Sequence, residues 1–495
     1  MLLAISAIFF SIHIFLLTIL CSFGLHRLSM AVRWKRYGSA SRCIAGRFAE
    51  LPTLTIQIPI YNERFVAERA IDAAVAIRYP REKLHIQIVD DSTDDTSQLI
   101  SNKVAFHRAN GIPIDHVQRN NREGYKAGAL KSAMEHTRGE FIAIFDADFV
   151  PAPDCLIENI HHFTNPRMGM IQFRWEHLNR ASSSLTEAQA IMLDAHFGLE
   201  QQVRSASGKF FNFNGTAGIW RTQAIIDAGN WSADTLTEDL DLSYRAQLRG
   251  WDMGYLNEVE CPAELPANMA AFKSQQHRWA KGGVQVMMKL LVTVWKAPIT
   301  LAQKIEATFH LSNNLAYFVL LVDTLFFLLP SLWIRSHYQL VGMWWLDLSL
   351  ILVSSGGHLV YLYYGQVALG HSRSRALMYL PRLLLLAIQL TTTNARAGFE
   401  ALRGNASEFV RTPKIGDIAR QRVIPQHLQA AIYQAIKPKG VMIELLLVVI
   451  YVFVILWAIH NEQWLIVPFL IFICLGFAVS SMQSLIPDLR ERSPS

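Results

Sequence analysis

Several features that mark other protein classes are missing from this chain of 495 residues. Its cysteines show no CxxC or other spacing typical of metal ligands, so we expect reduced, structural thiols in a cytosol-facing protein. They are Cys21, Cys43, Cys155, Cys261 and Cys474. No basic run with interleaved aromatic residues occurs, which argues against nucleic acid as a partner. Internal repeats and low-complexity tracts are absent as well.

Charged residues are also scarce, at 17% of the chain, against about a quarter in typical soluble domains. Hydrophobic residues make up 51%, and the mean hydropathy is +0.20. These values are typical of a protein that is partly soluble and partly embedded in a membrane. Much of the net charge of +6 lies beside apolar segments, where Lys and Arg mark the cytoplasmic membrane face.

Long apolar runs are missing from residues 45–300 and present on both sides. Residues 2–25 are apolar and precede the basic stretch HRLSMAVRWKR. We therefore expect an uncleaved membrane anchor within residues 1–30, with its downstream side in the cytosol. This distribution predicts a cytosolic domain over residues 45–300 and a membrane region over residues 301–495.

The membrane region contains five further apolar blocks, at 311–334, 341–365, 376–393, 441–460 and 463–484. The block at 376–393 contains a proline and an arginine and leads into a basic stretch, which favours an amphipathic helix at the membrane interface. With the N-terminal anchor, that interpretation gives five crossings, an external N-terminus and an internal C-terminus. A sixth crossing at 376–393 is the alternative.

Residues 45–300 alternate between strand and helix patterns. Predicted strands lie at 54–60, 85–90, 114–118 and 141–146, and predicted helices at 64–77, 94–106 and 127–137. This βα series predicts an α/β fold with a mainly parallel, Rossmann-like sheet. Such sheets bind ligands beyond the carboxyl ends of their strands. Polar residues fall at those ends, which makes that edge the candidate site.

The stretch FIAIFDADFVP (141–151) places Asp146 and Asp148 at the end of a buried strand. Two neighbouring carboxylates repel each other in a poorly solvated cleft, and a divalent cation removes that cost. Mg²⁺ typically takes one or two carboxylates together with water and phosphate oxygens. Lys126, just before a predicted helix, is placed to meet a phosphate. A solvated turn and a surface lysine are the alternatives.

Two later stretches carry further chemistry. In TEDLDLSYRA (237–246), Thr237 is expected to cap a helix whose first turn holds Glu238 and Asp239. Asp239 is a candidate general base, and an ordinary acidic first turn is the alternative. In SQQHRWAKGG (274–283), an arginine can bind a diphosphate and a tryptophan can stack on a sugar ring. The alternative for the second stretch is an interfacial tryptophan beside a cytosolic arginine.

In this order and spacing, these motifs resemble the membrane-integrated family 2 glycosyltransferases, whose catalytic domain has the GT-A fold. The resemblance covers about residues 50–285 well and the membrane segments more loosely. The motifs QIPIYNE, VDDSTDDT, GYKAGAL, FDADF, FNFNGTAGIWR and QQHRW are most similar to plant cellulose synthase-like A and C proteins. Those proteins make β-1,4-linked mannan, glucomannan or glucan. EFVRTPK (408–414) resembles the gating loop of cellulose synthase, although its arginine before the threonine departs from that pattern.

The resemblance implies a role for each motif. Asp90, Asp91, Lys126, Asp146 and Arg278 would bind the nucleotide donor, and Asp146 with Asp148 would hold Mg²⁺ or Mn²⁺. Asp239 would be the base, with Glu238 beside it. The acceptor would lie against Trp279, Gln275, Gln276, Asn214, Gly215 and Thr216. A gating loop at about 405–416 would close over the nucleotide with Phe409, Arg411, Thr412 and Lys414.

The function implied is a processive, inverting β-glycosyltransferase that polymerises a hexose from GDP-mannose or UDP-glucose and translocates the product. Its partners would be the donor, the growing glycan and the lipid bilayer of a bacterial inner, plasma or Golgi membrane. The sequence does not indicate whether accessory export subunits take part. Three alternatives remain: a lipid-directed transferase similar to ceramide glucosyltransferase, a channel that only senses a nucleotide, and a phosphate-ester hydrolase. The third would need a nucleophile or a dimetal cluster, and the sequence offers neither.

Overall fold

The computed structural model describes residues 2–38, 46–119, 121–340, 343–405, 412, 414, 416 and 440–485. Its centre is a seven-stranded sheet with the order β3-β2-β1-β4-β6-β5-β7. The strands are β1 (Leu54–Ile60), β2 (Leu84–Asp90), β3 (Ile114–Gln118), β4 (Phe141–Ile144), β5 (Met168–His177), β6 (Gly218–Arg221) and β7 (Asp252–Ala263).

Three of the four predicted strands match to within one residue, and the fourth is shorter than predicted. β1 pairs in parallel with both β2 and β4, and β2 with β3. β1 and β2 are buried along nearly their whole length. Their buried polar side chains include Gln57 and Gln87, which hydrogen-bond each other at 2.9 Å. β4 ends at Ile144, so Asp146 and Asp148 lie in the loop beyond it. Only β6 runs antiparallel to its neighbours, which confirms a mainly parallel α/β sheet.

Helices cover both faces of the sheet and continue into the apolar region. The first group is α1 (Leu2–Tyr37), α2 (Ala67–Val75), α3 (Thr96–Ala109), α4 (Tyr125–Ala133), α5 (Cys155–Asn159), α6 (Ser184–Asp194), α7 (Gln202–Ala206), α8 (Thr222–Asp227) and α9 (Glu238–Leu248). The second group is α10 (Met269–Lys296), α11 (Leu301–Ser312), α12 (Leu315–Val322), α13 (Leu328–His337), α14 (Trp344–Ala368), α15 (Arg373–Leu402), α16 (Val441–His460) and α17 (Val467–Leu485). Two π-helical turns, Ala195–Gln201 and Asp323–Phe327, join α6 to α7 and α12 to α13.

Five of the described helices are long and apolar enough to cross a membrane. They are Leu3–Tyr37, Leu315–His337, Trp345–Ala368, Arg373–Leu402 and Val441–His460. The segment Val467–Gln483, which the sequence predicted as a crossing, is shorter than these five. The block at 376–393 forms the middle of the continuous helix α15, and its placement at the interface stays a prediction.

Helix α10 joins the sheet domain to the apolar helices. Three of its residues at four-residue intervals make polar contacts with that region, because side chains four apart share one face of a helix. Lys273 Nζ lies 3.1 Å from Glu444 Oε1 of α16, and His277 Nε2 lies 3.2 Å from Glu400 Oε2 of α15. Lys281 Nζ, fully buried, lies 3.3 Å from the same Glu400 oxygen. The opposite face of α10 is therefore free to contribute to the site.

Candidate active site

One cleft at the carboxyl edge of the parallel strands brings together most of the predicted residues. Those that line it are Asp91, Lys126, Asp146, Asp148, Asn214, Gly215, Glu238, Asp239, Gln275, Arg278, Trp279, Thr412 and Lys414. Asp90, Thr216 and Gln276 do not line it. Phe409 and Arg411 lie outside the described residues, so only Thr412 and Lys414 of the four loop residues predicted to close over the nucleotide can be placed.

The two adjacent aspartates after β2 have different environments. Asp90 is 2% exposed, and its carboxylate accepts hydrogen bonds from His116 Nε2 at 2.9 Å and from the Ser92 amide at 2.8 Å. Asp91 lines the cleft, where Arg119 binds both of its oxygens, with Nε to Oδ1 at 2.8 Å. The structure therefore brings Asp91 to the cleft and uses Asp90 to brace β2 against β3.

An aromatic and cationic stack beside Asp91 escaped the sequence analysis. The guanidinium carbon of Arg122 lies 3.4 Å from the ring centre of Tyr61 and 4.9 Å from that of Tyr125. All three residues line the cleft. Tyr61 and Tyr125 lie within the motifs QIPIYNE and GYKAGAL, and their aromatic side chains were the available signal.

Each aspartate of the DxD motif is neutralised by a lysine. Lys126 Nζ lies 2.5 Å from Asp146 Oδ1, and Lys414 Nζ lies 2.6 Å from Asp148 Oδ2. Among the described residues, no group of three or more His, Cys, Asp or Glu could hold a metal ion. Two carboxylates at a cleft still fit Mg²⁺ or Mn²⁺, because such ions usually complete their coordination with water and substrate phosphate oxygens. Asp146 and Asp148 are therefore the candidate metal ligands.

Asp239 and Glu238 begin α9 at the bottom of the cleft. Burial, reinforced by the neighbouring Glu238 carboxylate, raises the pKa of Asp239 to about 7. Burial also raises the pKa of Glu238, although the Lys126 ammonium opposes that change. A carboxyl group with a pKa near neutrality can accept a proton from a hydroxyl, which suits a general base.

The predicted cap of α9 by the Thr237 side chain is wrong. Thr237 occupies the N-cap position, but its hydroxyl makes no capping hydrogen bond and has no partner among the described residues. Helix α10 passes too closely: a Cβ built on Gly282 would lie 2.5 Å from Thr237 Cγ2. Tertiary packing therefore determines the orientation of Thr237.

The loop Asn214–Gly215–Thr216 connects the groups of the site. Lys126 Nζ donates to the Gly215 carbonyl at 2.9 Å, and the Asp146 amide donates to Thr216 Oγ1 at 2.8 Å. Gly215 has φ +83°, and a Cβ there would lie 3.0 Å from Asp239 Oδ2. This loop therefore fixes the relative positions of Lys126, Asp146 and Asp239.

We expect Gly215→Ala to reduce both stability and turnover. A left-handed backbone costs a non-glycine residue about 1–2 kcal/mol, and the added methyl group displaces Asp239, for which a loss of about 10-fold or more in kcat is expected. Gly250→Ala is the matched control, because Gly250 has φ +92° and nothing within 4 Å of a Cβ. Thermal unfolding and kcat should show similar destabilisation of both variants and a loss of turnover in Gly215→Ala alone; equal turnover would contradict the steric argument.

The second face of α10 supplies the remaining groups. Gln275, Arg278 and Trp279 of the QQHRW motif line the cleft, whereas Gln276 does not. Burial lowers the pKa of Arg278, and the carboxylates of Glu238, Asp146 and Asp239 oppose that effect. Arg278 is therefore close to the three acids at the floor of the cleft.

Trp175, at the end of β5, is a cleft residue that the sequence analysis missed. Its ring centre lies 6.4 Å from that of Trp279, and Phe149 packs edge-on against it at 5.3 Å. A lone tryptophan in a strand pattern is ordinarily a core residue, so its sequence context contained no signal. The cleft thus has an aromatic wall suited to a sugar ring.

Comparisons with known proteins show what this chain is similar to. Residues 52–282 match the family model described as "Glycosyltransferase like family 2". The chain is 35% identical over 396 residues to glucomannan 4-beta-mannosyltransferase 7 of Arabidopsis thaliana, covering 76% of this chain and 67% of the relative. It is 41% identical over 261 residues to the probable glucomannan 4-beta-mannosyltransferase 2 of Oryza sativa subsp. japonica, covering 50% of this chain and 45% of that one.

The fold also has a solved counterpart. A mannosyltransferase from Pyrobaculum calidifontis, determined in complex with GDP-Man and Mn²⁺, superposes with a TM-score of 0.52 at 19% identity. The match covers 80% of this chain and 99% of that chain. At this level of identity the likeness shows the fold alone, which is the GT-A fold expected from the sequence.

Proposed function

Because this chain belongs to the family 2 glycosyltransferases and is a hexosyltransferase, we propose that it is a processive, inverting enzyme that polymerises a hexose into a β-1,4-linked polysaccharide. The observation that carries the proposal is the single cleft in which a buried carboxyl group, the DxD carboxylates and the α10 face meet. The names of the plant relatives favour mannose as the sugar. GDP-mannose is thus the first donor to test and UDP-glucose the second.

The nucleoside end of the donor would lie beside Asp91 and the stack of Tyr61, Arg122 and Tyr125. Its diphosphate would meet Lys126 and Arg278, whose positive charges stabilise the negative charge that develops on the leaving group. A divalent cation held by Asp146 and Asp148 would supply further Lewis-acid stabilisation of that charge. In the structure, Lys126 and Lys414 neutralise these carboxylates. Both lysines would therefore have to leave them when the donor and the cation bind.

The acceptor glycan would stack on Trp279 with its terminal hydroxyl near Asp239. Asp239 removes the proton of that hydroxyl as its oxygen attacks the anomeric carbon from the face opposite the diphosphate. This in-line displacement inverts the anomeric configuration and gives a β-linkage. Polar contacts join α10, one wall of the cleft, to the apolar helix α15, and we propose that the product passes from the cleft into the membrane region.

We propose that the protein is integral to the membrane, with the catalytic domain on the cytosolic face. The five apolar helices and the basic residues at the C-terminal end of α1 support this arrangement. Nucleotide sugars are then available to the cleft without crossing the bilayer. Delivery of the polymer to the other side would follow from the same orientation.

The pH dependence of turnover follows from the raised pKa of Asp239. A base with a pKa of about 7 is protonated and inactive below that value, so kcat should rise with pH and level off above it. At one unit below the pKa, about a tenth of the molecules hold Asp239 ionised. Initial rates at saturating donor and constant Mn²⁺, measured from acidic to alkaline pH, test this expectation; a flat profile would contradict it.

The function itself is tested with a panel of donors on membranes or detergent-purified protein. Labelled GDP-mannose, UDP-glucose, UDP-galactose and UDP-N-acetylglucosamine are each supplied with Mn²⁺, with and without EDTA. The product is sized and digested with linkage-specific glycanases. A long, EDTA-sensitive polymer that a β-1,4-specific glycanase degrades is the expected result. A small product extractable into organic solvent would overturn the polymer proposal in favour of a lipid acceptor.

A further inference from the structure

A π-helical turn packs behind the loop Asn214–Gly215–Thr216, and none of its residues takes part in the proposed reaction. The turn Ala195–Gln201 presents His196 and Gln201, five residues apart, to the same side chain, Asn214. In an α-helix, residues five apart point about 140° away from each other. A π-helix bonds residue i to residue i+5 and so brings both onto one face. The deformation of the helix is therefore what allows the two side chains to converge.

Asn214 is held from both ends. Gln201 Nε2 donates to Asn214 Oδ1 at 2.6 Å, and Asn214 Nδ2 lies 3.0 Å from His196 Nε2. The backbone amide of Asn214 donates to Gln172 Oε1 at 2.8 Å. Hydrogen bonds thus fix both polar atoms of the Asn214 side chain and the backbone amide of the same residue, immediately before Gly215.

Neighbouring groups determine which atom donates in each of these hydrogen bonds. Gln201 Nε2 also donates to the Asn212 carbonyl at 2.9 Å, and only a nitrogen can do so. Asn214 therefore accepts from Gln201 and donates to His196, which must present an unprotonated Nε2. The proton of His196 then resides on Nδ1, which lies 3.3 Å from Glu200 Oε2.

Glu200 anchors the turn to the apolar helices. Its carboxylate is 2.6 Å from Arg27 Nη1 of α1, 2.7 Å from the Tyr361 hydroxyl of α14 and 2.5 Å from Arg204 Nη2. Helix α14 also approaches the turn so closely that a Cβ on Gly365 would lie 2.4 Å from Ala195 Cα. The turn is thus fixed by two helices that do not belong to the sheet domain.

We infer that His196 and Gln201 are positioning residues for hexosyl transfer, which hold Asn214 and, through it, the loop that contacts Lys126, Asp146 and Asp239. This inference rests on the proposed chemistry at that loop. Neither residue touches the reacting atoms: their effect is transmitted through Asn214 to Gly215 and Thr216. Displacement of a catalytic group by about 1 Å can cost about 100-fold in rate. Loss of the hydrogen bonds from His196 and Gln201 to Asn214, which we call the clamp, should therefore lower turnover.

The test compares two substitutions at one position. His196→Leu removes the acceptor for Asn214, whereas His196→Gln keeps an oxygen that can accept that bond. We expect kcat to fall by about 100-fold in His196→Leu and to be largely restored in His196→Gln. The affinity for the free nucleoside should stay at the wild-type value in both, because Asp91 and the stack of Tyr61, Arg122 and Tyr125 do not belong to the loop. Equal losses in the two variants, or wild-type turnover in His196→Leu, would overturn the inference.

A neighbouring residue provides the control. Gln202 follows Gln201 directly, is similarly buried, and donates to the Tyr37 carbonyl at 3.2 Å rather than to Asn214. Gln201→Leu should lower kcat and Gln202→Leu should not. Where His196→Leu yields no folded protein, the Gln201→Leu and Gln202→Leu pair decides the question, and equal turnover of that pair overturns the inference.

The assay follows release of nucleoside diphosphate from whichever donor and acceptor the wild type uses. A wild type that makes a lipid-linked product would overturn the proposed polymerisation while the His196 comparison still reports on the clamp. A wild type that makes polymer, with His196→Leu equally active, would overturn the clamp alone.

Discussion

Asp239→Asn is expected to remove hexosyl transfer while nucleotide binding persists. Asparagine has nearly the same shape as aspartate but cannot take up a proton, and general-base catalysis contributes about 10²–10⁴-fold to such reactions. Asp239 is the group whose pKa the cleft raises to about 7. The proposed contacts of the donor's nucleoside end are with other residues, so its binding should not depend on this carboxyl group.

The measurement pairs single-turnover kinetics with a titration of nucleoside diphosphate. Asp234→Asn is a suitable control, since Asp234 lies five residues earlier, is exposed and pairs with Lys289 at 2.8 Å. It should retain wild-type kcat and affinity. Loss of nucleotide binding together with turnover in Asp239→Asn would mean that Asp239 holds the donor rather than acting as the base.

Asp148→Asn is expected to have the second-largest effect. The substitution removes one of the two candidate metal ligands and leaves Lys414 without the carboxylate it contacts at 2.6 Å. Removing one electrostatic stabiliser of a transition state typically costs about 10²–10³-fold in kcat. The requirement for Mn²⁺ should also move to higher concentration.

Rates measured across a series of Mn²⁺ concentrations separate these two effects. Asp154→Asn is the matched control, because Asp154 lies six residues further on in an exposed ion pair with Arg78 at 2.9 Å. It should behave as the wild type. If Asp148→Asn keeps both its turnover and its Mn²⁺ requirement, the assignment of Asp148 to the metal is wrong.

The sequence predicted the parallel half of the sheet because that half is built from local signals. β1 and β2 carry isoleucines at alternate positions in short segments, and this pattern is recognisable without the partner strands. Because the carboxyl ends of parallel strands meet at one edge, the residues after them could be assigned to a common site. The antiparallel strand β6 and the long strands beside it depend on pairings between distant residues.

Two adjacent pairs of residues show where sequence reasoning stops. Asp90 and Asp91 are equivalent in the motif, yet only Asp91 lines the cleft. Asp90 is the last residue of β2 and is bound by His116 of β3, whereas Asp91 lies in the loop beyond the strand. Gln275 and Gln276 differ in the same way on α10, where one face lines the cleft and the other meets α15. Packing between elements far apart in the sequence decides which face of an element lines the cleft.

The sequence by itself determined the α/β class, the order of the motifs and the chemical types gathered at the strand ends. Only the tertiary structure decided which of those groups share a cleft, and it added Trp175, Arg119 and the His196–Gln201 clamp. It also gave Asp239 a pKa of about 7, since that value depends on burial and on the Glu238 carboxylate beside it. Local patterns follow from neighbouring residues, whereas burial and charge environment arise from segments that meet only in the folded chain.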